Sequence, residues 1–83
     1  MNDEGMMKMD GYDDCIIGIA ERCNMPNVIV YDYEKVISKN IDRGMNREEA
    51  EDWYGFNQLH AWVGETTPIF VRLCKPEEIE HLT

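Results

Sequence analysis

The fold is decided by residues 46–71, NREEAEDWYGFNQLHAWVGETTPIFV, which contain both tryptophans and both phenylalanines of the 83-residue chain. Asn46 and Glu49 have the spacing of a capping box, in which each side chain bonds the backbone N–H of the other residue. The segment therefore predicts a helix that begins after Asn46 and ends at Gly64. Residues 69–71, IFV, predict a strand that follows it.

A helical wheel of this segment is apolar over most of its circumference. One face contains Ala50, Trp53, Tyr54, Asn57 and Ala61; an adjoining stripe contains Phe56, Leu59 and Val63; Trp62 lies nearly opposite the first face. A helix that is apolar on so many sides is normally surrounded by protein. Because a chain of this length covers only part of it, we expect some aromatic surface, above all Trp62, to contact a partner or a second subunit.

Asn57 is the polar residue at the centre of the apolar face. A buried amide without hydrogen-bond partners costs about 1–3 kcal/mol, so it must find some. Either it bonds a nearby loop, such as the turn at residues 63–67, or it faces a partner or ligand. The first reading is the more economical, and the second makes Asn57 a candidate binding residue.

The rest of the chain predicts a strand and two further helices. Residues 28–31, VIVY, are four strand-forming residues between turn-forming neighbours. Asp32 can cap a helix that extends to Arg43, with Gly44 in a left-handed turn. Residues 13–23 favour a short helix capped by an aspartate.

A strand at residues 15–17 is the alternative for that last segment, although Gly18 weakens it. The preferred order is α-β-α-α-β, which is a small single-domain α+β fold with a two-stranded sheet packed by helices. Residues 11–74 form the predicted globular domain. Residues 1–10 are a predicted mobile N-terminal arm, and residues 75–83 are a predicted loose C-terminal tail.

Seventeen acidic residues against eight basic ones give the chain a net charge of −9. An acidic surface repels nucleic acid, because nucleic-acid binding depends on cationic groups that neutralise phosphates. It attracts a basic protein surface, or it serves only to keep the protein in solution. Glu48, Glu49, Glu51 and Asp52 cluster at the start of the predicted helix and are the acids we expect a basic partner to meet.

The sequence contains no recognisable motif for catalysis, a cofactor or a metal. Its three cysteines are widely spaced, which favours a reducing cytoplasm over a disulfide framework and lacks the close ligand pairs of a zinc site. Asp13, Asp14 and Asp32 have the oxygen ligands that Mg²⁺ prefers, but a capping role explains them equally well. The acidic first residues lack the apolar core of a secretory signal, and no membrane-spanning run is present.

Three segments resemble a family of small bacteriophage proteins: YDDCIIGIAERC at 12–23, VIVYDYEKVI at 28–37, and GMNREEAEDWYGFNQLHAWVGETTPIFV at 44–71. The family pattern combines YDD-hydrophobic-GxxER, VxYD, GMxxEEA with an aromatic-rich FN segment, and VGxxTPxF. The match spans residues 12–71. The resemblance implies a phage product that acts in the bacterial host cytoplasm, and it implies no catalytic residues.

We therefore expect a non-enzymatic acidic binding protein that inhibits or modulates a bacterial protein, such as a nucleic-acid enzyme or defence component, by masking its basic site. The predicted contact residues are Trp62, Tyr54, Asn57, Glu48, Glu49, Glu51 and Asp52. The alternative is a self-associating accessory or structural phage protein without a host target. A small enzyme would instead require a concave pocket that holds an acid or cysteine with a perturbed pKa.

Overall fold

The structure is a computed structural model that describes residues 5–79. A 3-10 turn at Asp13–Cys15 leads into β1 (Ile16–Arg22), β2 (Met25–Asp32), α1 (Tyr33–Asp42) and α2 (Arg47–Trp53). α2 continues as a π-helix at Tyr54–Leu59, followed by β3 (Ile69–Val71) and α3 (Pro76–Ile79). The α+β class is confirmed, but the order of the main elements is β-β-α-α-β. The predicted arm and tail extend into residues 1–4 and 80–83, which lie outside the described residues.

The sheet has three strands rather than the predicted two, in the order β1-β2-β3. The preferred helix at residues 13–23 is wrong, because most of that segment forms β1 and pairs antiparallel with β2. Its side chains alternate between partly buried and exposed, which is the two-residue period of a strand. Gly18 is tolerated because the pairing register is irregular between Ile16 and Gly18, and glycine often marks such a bulge. Asn24 turns the hairpin with a left-handed φ of 58°.

β3 pairs with β2 in parallel, so Tyr31 lies opposite Phe70. Parallel neighbours need a long crossover connection, which α1, α2 and the π-helix provide here. The two predicted strands at 28–31 and 69–71 are both confirmed, and they pair with each other as expected.

The core is built mainly from tyrosines. Its buried members are Tyr12, Cys15, Tyr31, Tyr33, Val36, Ile37, Ala50 and Tyr54. The Tyr31 ring stacks on Phe70 with centroids 5.6 Å apart, and the Tyr54 ring meets Phe70 edge-on at 5.2 Å. Aromatic pairs of this geometry add about 0.5–1.5 kcal/mol each beyond the area they bury. They hold β2, β3 and the π-helix together.

Local end signals correctly predicted where α1 begins and ends and where α2 begins. α1 begins directly after Asp32, although the Asp32 side chain makes no capping hydrogen bond, and Gly44 follows the helix at φ 106°. The capping box of α2 is confirmed. The Glu49 N–H donates to Asn46 Oδ1 at 2.8 Å, and the Asn46 N–H donates to Glu49 Oε1 at 3.0 Å.

The π-helix changes which residues of this segment face inward. The buried side chains of residues 47–59 are Ala50, Tyr54 and Gln58, at intervals of four. In a regular α-helix of 3.6 residues per turn, positions four apart drift around the axis. The wider i→i+5 turn offsets that drift, so Gln58 stays on the buried side. The predicted wheel is therefore wrong after Tyr54. It is also wrong at Trp53, which it placed on one face with Ala50 and Tyr54 but which is exposed. The helix ends at Leu59 rather than at Gly64.

Candidate partner-binding surface

Large apolar side chains are exposed from the end of α2 through the π-helix and just beyond it. They are Trp53, Phe56, Leu59, Trp62 and Val63. The Phe56 side chain is 81% exposed and that of Trp62 is 70% exposed. Contiguous exposed apolar side chains are a common feature of interaction surfaces, which makes this face the candidate site.

A shallow, open concavity of about 350 Å³ lies on the exposed side of the helix, and we call it the α2 groove. Its lining residues are Met45, Glu49, Asp52, Trp53, Phe56 and Asn57. Their spacing follows the three- and four-residue intervals that place helix residues on one face. The carboxylates of Glu49 and Asp52 therefore share one surface with the apolar side chains of Met45, Trp53 and Phe56.

The four predicted acids at the start of α2 are all exposed, but their surroundings differ. Glu49 accepts the capping hydrogen bond from Asn46. Glu51 accepts a hydrogen bond of 2.8 Å from the Tyr33 hydroxyl and lies 3.6 Å from Arg47 Nε. Glu48 and Asp52 make no ion pair with any residue among 5–79. The negative charge at Glu48 and Asp52 is thus open to a partner.

The predicted aromatic contact residues lie in different environments. Trp62 is exposed as expected, but it follows the helix instead of belonging to it. Tyr54 is only 6% exposed, so its ring supports the helix from inside. Phe56, which the wheel assigned to an inner stripe, is the most exposed aromatic residue. No local sequence signal indicates its position, because that depends on the π turn.

Asn57 is exposed and lines the α2 groove. It does not tie down the turn at residues 63–67. Thr67 does so, because its Oγ1 accepts from the Val63 N–H at 2.8 Å and donates to the Gly64 carbonyl at 2.6 Å. The amides that are buried are instead Asn40 and Gln58.

A second concavity of about 290 Å³ lies between the 3-10 turn and α1 and includes Asp14, Cys15, Glu34 and Lys39. The Lys39 ammonium, 2.9 Å from Asp14 Oδ2, holds the pKa of that carboxyl below its usual range. Burial raises the pKa of the Cys15 thiol. These directions are opposite to the raised carboxyl pKa that favours a general acid and to the lowered thiol pKa that favours a cysteine nucleophile.

No group of three or more histidine, cysteine or acidic side chains within residues 5–79 is arranged to hold a metal ion. Asp13 and Asp14, considered above as ligands, form ion pairs with Lys8 and Lys39 instead. None of the helices among these residues is long and apolar enough to cross a membrane.

Comparisons with protein-family models, curated proteins and solved structures find no match to this chain.

Proposed function

We propose that this chain is a phage-encoded acidic binding protein, without catalytic activity of its own, that masks a basic surface of a bacterial protein. The observation that carries the proposal is the exposure of Phe56 beside the open carboxylate of Asp52 on one helix face. Exposed aromatic residues supply buried area in a complex, and binding hot spots are rich in them. The neighbouring acids select a cationic partner.

The net charge supports the same proposal at longer range. A charge of −9 on 83 residues steers a basic surface toward the protein and raises the association rate. Bacterial enzymes that hold nucleic acid, including polymerases and defence nucleases, carry basic sites of this kind. The phage origin and the action in the host cytoplasm come from the resemblance of residues 12–71 to a phage family.

Affinity purification of the tagged protein from a bacterial lysate tests the proposal. We expect a nucleic-acid enzyme or defence component to be retained at low salt, identified by mass spectrometry, and released at high salt, because salt screens exposed charges. Tagged Phe56→Ser is the matched variant and should retain less of the same partner. A preparation that retains no host protein at any salt concentration would contradict the proposal.

A second candidate function is self-association in an accessory phage structure, and the β1 edge favours it. β1 is an outer strand of the sheet, is seven residues long, and exposes the side chains of Ile17 and Ile19. Natural proteins usually protect such edges with lysine, proline or a covering element, because the edge can pair with another chain. Sedimentation of the wild-type protein and of Ile17→Lys distinguishes the two: a defined oligomer that the lysine disrupts supports self-association.

A further inference from the structure

We infer that the α2 groove binds a basic amphipathic helix of the partner, with a lysine or arginine of that helix over Trp53 and beside Asp52. This inference rests on the proposed function and specifies the contact that carries it. The spacing of the groove residues, their hydrogen-bonding capacity and their charge each narrow the choice of occupant.

All the lining residues except Met45 come from α2 and the π-helix that continues it, so the groove side chains recur along one helix. Glu49, Trp53 and Phe56 lie at successive helical intervals of four and three, so anchors on the occupant must recur at similar spacing. A helix presents side chains in that repeat, as in other helix-in-groove complexes.

An extended peptide lacks the interactions that it would need here. Extended peptides bind by adding a strand to a sheet edge, where unpaired backbone groups supply hydrogen bonds. Inside α2 and the π-helix the backbone N–H and C=O groups bond within the helix, so this groove offers side chains only. The outer strands of the sheet among residues 5–79 are β1 and β3, and none of the groove residues belongs to either strand.

Charge decides what the occupant carries. A purely apolar ligand would cover Asp52 without compensating its charge, and an unpaired buried charge is costly. A lysine or arginine compensates that charge, and its cationic head also binds the electron-rich face of a tryptophan within about 6 Å of the ring centre. Its aliphatic stem can lie along apolar surface at the same time. Phe56 then requires an apolar residue about one turn away on the occupant.

A peptide titration of the full chain tests this inference. The probe is a 16-residue helical peptide that alternates leucine and lysine with helical periodicity, and its control replaces each lysine with glutamate. The protein carries Trp62→Phe in every experiment, so that Trp53 is the only tryptophan reporting by fluorescence. We expect the lysine peptide to shift Trp53 emission and the glutamate peptide to leave it unchanged.

Two pairs of variants separate the groove from general charge attraction. Asp52→Asn and Phe56→Ala should each weaken lysine-peptide binding about tenfold. Glu77→Gln and Leu73→Ala remove an exposed acid and an exposed apolar side chain elsewhere, and they should leave the affinity within about twofold. Equal losses in Asp52→Asn and Glu77→Gln would show nonspecific attraction and overturn the inference. The absence of any Trp53 response to the lysine peptide would overturn it as well.

Failure of this inference can be distinguished from failure of the proposed function, because the peptide titration and the lysate purification test them separately. If Asp52→Asn and Phe56→Ala still retain a host partner at wild-type levels, the protein is a binding protein and the groove is not its contact. If the wild-type chain retains no host protein, the proposed function fails irrespective of the peptide result.

Discussion

The hydroxyl of Tyr12 donates a hydrogen bond of 2.6 Å to Oδ1 of Asn40, although 28 positions separate the two residues. The Asn40 amide Nδ2 donates in turn to Gln58 Oε1 at 3.0 Å and to the Ala50 carbonyl at 3.3 Å. Both side-chain amides are buried. One asparagine therefore joins the segment before β1, the last turn of α1 and the π-helix, and its bond to Gln58 connects to the buried side of the π-helix.

Tyr12→Phe removes the donor to Asn40 and leaves a buried oxygen unsatisfied. We expect the free energy of unfolding, measured by urea denaturation, to fall by about 1–3 kcal/mol. Tyr33→Phe is the matched control, because its hydroxyl bonds Glu51, whose carboxylate is exposed and can regain water. Its expected loss is smaller, about 0.5–1.5 kcal/mol. If Tyr33→Phe cost more than Tyr12→Phe, the buried network would not contribute as described.

The two phenylalanines give a direct test of the helix orientation. Phe70 is partly buried and packs between Tyr31 and Tyr54, so Phe70→Ala should destabilise the protein by about 1–3 kcal/mol. Phe56→Ala removes an exposed ring and should change stability by no more than about 0.5 kcal/mol. Thermal unfolding followed by circular dichroism measures both. A large loss of stability in Phe56→Ala would mean that the Phe56 ring is buried. It would contradict the orientation that the π-helix gives to this residue.

The sequence predicted correctly those features that depend on residues only a few positions apart in the chain. The capping box at Asn46, the turn at Gly44 and the two parallel strands are of this kind. It failed at β1, because the spacing of the isoleucines there is compatible with a helix and with a strand. Only the pairing with β2, which local sequence does not reveal, decides for the strand. It also failed at Phe56, whose exposure follows from a wider turn stabilised by long-range contacts. The acidic half of the candidate surface was therefore predictable, and its main aromatic residue was not.

The capping box of α2 should contribute measurably to stability. Asn46→Ala removes the acceptor for the Glu49 N–H, and a lost cap of this type costs about 1 kcal/mol. Asn57→Ala makes the same chemical change at an exposed position that caps nothing, and it should cost less than about 0.5 kcal/mol. Urea denaturation of the two variants makes the comparison. Equal losses would show that the cap does not account for the effect of Asn46→Ala.

The ion pair between Glu34 and Arg47 predicts a specific response to acid. The Arg47 guanidinium, 3.1 Å from Glu34 Oε1, holds the pKa of that carboxyl below its usual range. A carboxyl whose pKa is lower in the folded state stabilises the protein above its unfolded pKa, near 4.3. That contribution disappears as the pH falls through the folded value.

Glu34→Gln should therefore reduce stability slightly at pH 6 and flatten its decline below about pH 4.3. The effect should be small and should weaken in salt, because the pair is exposed at the surface. Denaturation midpoints measured from pH 6 to pH 3 provide the readout, with Glu48→Gln as an unpaired control. If stability fell more steeply with decreasing pH in Glu34→Gln than in the wild type, the pKa of Glu34 would not be lowered by folding as described.

The three cysteines should differ in reactivity, because Cys15 is buried while Cys23 and Cys74 are exposed. Burial raises the pKa of the Cys15 thiol, and the neighbouring Asp14 charge adds to the shift. The thiolate is the reactive form, so a raised pKa lowers the reactive fraction at pH 8, and burial also blocks the reagent. A disulfide reagent should therefore modify two thiols rapidly and the third only as the protein unfolds.

Cys15→Ala should remove the slow phase and leave both rapid ones, whereas Cys74→Ala should remove one rapid phase. Urea should accelerate the slow phase in parallel with unfolding, because the thiol is reached only when the 3-10 turn detaches from α1. Three equal rates in the wild type would mean that this turn opens faster than the reagent attacks. In that case the neighbouring hydrogen bond between Tyr12 and Asn40 would have little effect on opening of the 3-10 turn. If Cys15 instead reacts slowly as expected, its reaction rate reports how strongly that hydrogen bond holds the turn against α1.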